Sequence, residues 1–141
     1  MTLRLALLAV AVGMVACDTR AKVTSCDDDL HGVWVSEEHD TQWMILDNGP
    51  TIEAYPLFDD HIEGGAPRVI DLRRGERFTG EVKRRFDQGG NECTASAPIR
   101  IAKCKADSLQ VVIADPPSPL SFSPCTWGRP NEPELDHWHR Q

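Results

Sequence analysis

The sequence predicts an all-β fold: a small antiparallel meander of about eight strands closed into a barrel. Three observations carry this. No long 3.6-residue apolar periodicity runs through residues 26–127, so no amphipathic helix is encoded there. Short segments of alternating character recur along the same stretch. Turn formers separate many of them: Asp47-Asn48-Gly49, Gly64-Gly65, Arg74-Gly75, Gly89-Gly90-Asn91, Ala106-Asp107-Ser108 and Pro116-Pro117-Ser118-Pro119. A sandwich satisfies the same pattern, and 141 residues suffice for one domain of either kind.

The expected strands are 32–37, 41–46, 51–57, 68–72, 77–86, 93–104, 109–114 and 120–127. Side-chain parity assigns their inner faces. Phe78, Val82 and Phe86 share one face with Gly80. Ala95, Ala97, Ile99 and Ile101 share another, and Leu109, Val111 and Ile113 a third. These three strands are expected to be consecutive neighbours. Gly80 inside its strand suggests a bend or bulge. Arg84 falls on the apolar face, which places it at a barrel mouth or makes it an inward functional cation.

Before the barrel, residues 1–16 read as a secretory signal: a short start with Arg4, an apolar run from Leu5, and small residues before a processing point. A dozen apolar residues rise about 18 Å as a helix, well short of a hydrocarbon core of roughly 30 Å. Residues 17–25 are a polar tether, and 26–127 the barrel domain. Residues 128–141 are Pro-rich and polar, expected as a tail, either disordered or holding a short helical turn capped by Asn131 with Pro133 near its start.

Met14-Val15-Ala16-Cys17 resembles the lipobox of bacterial lipoproteins. The resemblance implies that Cys17 carries the lipid, although Met14 stands where that family usually has Leu. Several acyl chains would anchor the chain firmly to a membrane. Asp18 resembles an inner-membrane retention signal, so the inner membrane is favoured over the outer, with the protein facing the periplasm. With Cys17 lipidated, four of the five cysteines remain: Cys26, Cys93, Cys104 and Cys125. An oxidising envelope favours two disulfides among them, and three pairings are open.

Gly32-Val33-Trp34 resembles the G-x-W start of lipocalin-like barrels. That resemblance implies a Trp at the closed end of an up-and-down barrel, packed under an Arg from the barrel's end. Arg129 is the expected partner of Trp34, through a cation–π contact. It also implies an apolar ligand cavity, although an eight-stranded barrel is equally able to fill itself with side chains.

Charge is uneven. Residues 26–63 hold eleven acids and no Lys or Arg, whereas 68–105 hold ten bases and five acids. The basic cluster Arg73, Arg74, Arg77, Lys83, Arg84 and Arg85 is either a solvated wall or a dock for an anionic envelope polymer or protein. An anchored chain with a net charge of −7 is a poor nucleic-acid binder. Asp27, Asp28 and Asp29, with Glu37, Glu38 and Asp40, lack the spacing of a calcium loop. His137 and His139 flank Trp138 and are weak metal candidates. No G-x-S-x-G, H-E-x-x-H or P-loop occurs, and no cofactor is implied. The expectation is a non-enzymatic binding or interaction module. A small envelope enzyme without a recognisable motif and a periplasmic enzyme inhibitor are the alternatives.

Overall fold

The computed structural model describes residues 26, 28–57, 68–75 and 78–141. The expected signal (1–16), Cys17, Asp18 and the expected tether (17–25) lie outside the described residues, as do Asp27 and Arg77. The ten strands among the described residues are β1 (Gly32–Ser36), β2 (Gln42–Asp47), β3 (Thr51–Pro56), β4 (Val69–Arg73) and β5 (Thr79–Gln88), then β6 (Asn91–Cys104), β7 (Ser108–Ile113), β8 (Pro119–Phe122), β9 (Cys125–Trp127) and β10 (Glu134–Arg140). Eight of them close an antiparallel barrel in the order β1-β10-β7-β6-β5-β4-β3-β2, and β8 pairs with β9 alone.

The expected neighbours β5, β6 and β7 are adjacent. Their inner faces are those the parity assigns: Val82, Phe86, Ala95, Ala97, Ile99, Leu109, Val111 and Ile113 are buried. The last quarter of the chain departs from expectation. Residues 120–127 do not form one strand; they fold back at Ser123-Pro124 into the β8–β9 hairpin, outside the barrel. Proline has no N–H to give a ladder, and a Ser-Pro pair favours a turn. Nor is 128–141 a tail. Its second half is β10, which pairs with β1 on one side and β7 on the other and closes the barrel.

Gly80 does not mark a bulge either, for the β4–β5 register runs straight through Leu72↔Gly80. A Cβ there would stand 1.8 Å from the backbone oxygen of Asp71, so the glycine permits close approach of two strands. The bulge lies in β6, between Ile101 and Lys103. One extra residue exchanges the two faces of a strand. Inward side chains are odd-numbered from Cys93 to Ile99, yet Cys104 beyond the bulge is buried in the core.

The interior is packed with side chains. Trp34, Trp43 and Trp138 are all fully or almost fully buried, among Leu30, Ile45, Ile52, Ile70, Val82, Leu109 and Val111. Trp43 and Trp138 stack with centroids 5.4 Å apart. Asp136 is buried beside them at 1% exposure. Its Oδ2 accepts from the Ser36 hydroxyl and the Trp138 indole N–H, both at 2.7 Å, and Oδ1 accepts from the Glu38 N–H at 3.3 Å. A carboxylate so supplied with donors is tolerated in a core, and it fixes β1 against β10.

Candidate functional site: a braced arm at the barrel rim

The two ends of the barrel differ. The lower end holds the start of β1, the β2–β3, β4–β5 and β6–β7 turns, and the end of β10. The lead-in segment before β1 crosses it. Leu30 is fully buried there, its carbonyl accepts the Trp34 indole N–H at 2.8 Å, and its N–H donates to Asp47 at 2.9 Å. Arg74 bridges to Asp47 and donates to the Gly49 carbonyl at 2.7 Å, with its guanidinium over the Phe78 ring. Burial pushes the Asp47 carboxyl up. The N–H groups of Leu30 and Gly49 and the Arg74 guanidinium outweigh that and hold it below its ordinary value. A hollow of about 410 Å³ opens beside this network, lined by Asp28, Asp29, His31, Asp47, Gly49 and Arg74.

The cation over Trp34 is Arg140, 5.0 Å from the ring centroid, and its guanidinium also donates to the Asp29 carbonyl. The expected partner, Arg129, lies instead in the exposed stretch between β9 and β10. Arg140 takes that place because the C-terminal segment is a barrel strand ending at the closed end.

At the upper end β5 and β6 outrun their neighbours. Ladder contact of β5 with β4 stops at Lys83, and that of β6 with β7 at Ile99. Beyond these points β5 and β6 pair only with each other, as far as Gln88↔Asn91. This hairpin projects past the rim as an arm whose inner face carries Phe86, Cys93 and Ala95. The β8–β9 hairpin supplies the other layer. Cys93 and Cys125 form a disulfide, and Phe86 meets Trp127 at 6.3 Å between centroids. Arg84 lies at the base of the arm on its inner face, its guanidinium 5.1 Å from the Phe86 ring centroid. Leu120 on β8 is 76% exposed, the most exposed large apolar side chain among the described residues.

Also at the upper end, a hollow of about 220 Å³ is lined by His39, Ile113, Asp115, Asn131, Glu132 and Glu134. Arg68 bridges to Asp115 at its edge and lies 5.3 Å over the Trp43 ring. Cation and acid thus cap the stacked indoles from above.

The basic cluster does not form one open surface. Arg74 is tied into the lower end, and Lys83 bridges to Asp71 at 2.8 Å. Arg85 faces Glu92 at 3.6 Å, Arg84 is turned inward, and Arg73 is exposed at the end of β4. Asp28 and Asp29 lie at the lower end, whereas Glu37, Glu38 and Asp40 belong to the β1–β2 turn at the upper end. His137 and His139 share the outer face of β10, where His137 meets Gln110 and His139 meets Glu37. Among the described residues, no group of three or more His, Cys, Asp or Glu side chains is arranged to hold a metal ion.

The arm is not announced by any motif in the sequence. Its signal was present in the lengths of the segments around Gly89-Gly90, the longest alternating pair in the chain. No family model, curated protein or solved structure matches this chain.

Proposed function

We propose that the protein is a lipid-anchored component of the bacterial envelope, a non-enzymatic interaction module that meets a protein partner through the arm. The observation that carries this reading is the arm: an ordered two-hairpin projection, braced by Cys93–Cys125, with Leu120 presented at 76% exposure. An element held in one conformation before binding loses little entropy when it docks. The interior favours a partner outside over an apolar ligand inside, because three buried indoles occupy it. The envelope assignment rests on the signal-like residues 1–16 and the lipobox-like Cys17. A structural disulfide suits an oxidising compartment.

The test is in-cell photo-crosslinking from the anchored, full-length protein. A photoreactive residue at Leu120 should yield one defined protein adduct, and the same residue at Tyr55 on the wall should yield none. Equal adducts from both positions, or a stoichiometric lipid extracted from the purified barrel, would contradict the reading.

A further inference from the structure

We propose that Cys26 and Cys104 form a second disulfide, which staples the lead-in segment to the floor of the barrel. Two features of the fold bring them together. The β6 bulge between Ile101 and Lys103 turns Cys104 from the outer face to the inner one, where it is 2% exposed. Cys26, half-buried, packs against the same core cluster that holds Cys104. The two thiols are hydrogen-bonded to each other. Without the bulge, Cys104 would face away from Cys26 across the sheet.

The chemistry is thiol–disulfide exchange with a disulfide-carrying oxidant, a protein or a small molecule. The Cys26 thiolate attacks one sulfur of that disulfide, forming a mixed disulfide and expelling one thiolate. The Cys104 thiolate then attacks the Cys26 sulfur, forms the Cys26–Cys104 bond and expels the second. Two electrons pass to the oxidant, and the protons of Cys26 and Cys104 end on its two thiols. Cys26 is the residue that attacks first, being the more accessible. The hydrogen bond to Cys26 and burial raise the Cys104 thiol above its ordinary value, which disfavours Cys104 as the first attacker.

The bond would fix the segment that carries Leu30 and the Asp28 and Asp29 carbonyls, all of which contribute to the lower closure. It does not depend on the partner-binding reading. It would leave the chain with two disulfides, one at each end of the barrel.

The experiment uses the folded full chain with Cys93–Cys125 intact, incubated with oxidised glutathione and then alkylated in denaturant. The expected product is a Cys26–Cys104 linked peptide pair, with a gain of about 4 Da on full reduction against about 2 Da for one disulfide. In the C104S variant, Cys26 should stop as a stable mixed disulfide with glutathione. Recovery of both cysteines alkylated in the wild type, or of a glutathione adduct on Cys26 that does not resolve, would overturn the proposal.

Discussion

At the lower end of the barrel, closure is distributed. Leu30 fills the opening, Trp34 and Asp47 each bond its backbone, and Arg74 and Arg140 lie across aromatic rings while bonding nearby carbonyls. At the upper end, the Cys93–Cys125 disulfide and the Phe86–Trp127 contact tie the β8–β9 hairpin to the projecting arm. The first arrangement loses its parts one at a time. The second has a single covalent brace among the described residues. An end built from many shared contacts suits a closed floor, and an end held by one brace suits an element that projects towards a partner.

Four variants test this difference. Trp34→Ala should have the largest effect, about 3–5 kcal/mol, because it empties a fully buried site and removes the seat of Arg140. Urea unfolding should show a lower midpoint with little change in slope. Replacing Cys93 and Cys125 together by Ser should cost about 2–4 kcal/mol, since the bond closes a loop with a sequence separation of 32. The same urea series would measure it.

Asp47→Asn should cost about 1–2 kcal/mol at neutral pH, through weakened bonds from Arg74 and two backbone N–H groups. It should also change the acid limb of stability. The folded-state pKa of Asp47 is depressed, so its contribution is complete above the unfolded carboxylate value of roughly 3.9 and is lost as pH falls through the lower folded value. Wild type should lose more stability than Asp47→Asn over that window in unfolding curves at stepped pH. The smallest effect is expected from Lys83→Met, on the wall between the two ends. Its bridge to Asp71 raises the Lys83 pKa, but both side chains are close to half exposed, and the change should stay below about 0.5 kcal/mol by thermal melts.

The barrel and most of its strands were legible because β2 to β7 keep alternation between clear turns. β10 was not, for a physical reason. In Glu134–Arg140 the inward positions are Asp136 and Trp138, and the outward ones include the half-exposed Leu135. An acid facing in and a leucine facing out invert the usual signal, and only the donors of Ser36, Glu38 and Trp138 make the inversion tolerable. A last strand at 120–127 points to Arg129 as the cation on Trp34, whereas a last strand at Glu134–Arg140 brings Arg140 there. The site was less legible still. Cysteine parity marks Cys125 as a disulfide candidate, but its pairing depends on a hairpin folding back at Ser123-Pro124 onto a strand whose Cys93 lies 32 positions earlier. Bulge position is equally hidden, since nothing in Ile101-Ala102-Lys103 announces the turn of Cys104 into the core.

The central claim is that the arm is an element held separately from a filled barrel. Hydrogen exchange on wild type and the Cys93→Ser/Cys125→Ser variant tests it most directly. In the variant, exchange should be at least about tenfold faster in residues 84–97 and 118–128, with the protection of β1 to β4, β7 and β10 retained relative to the arm. Uniform loss of protection across the barrel, or none in the arm, would contradict it.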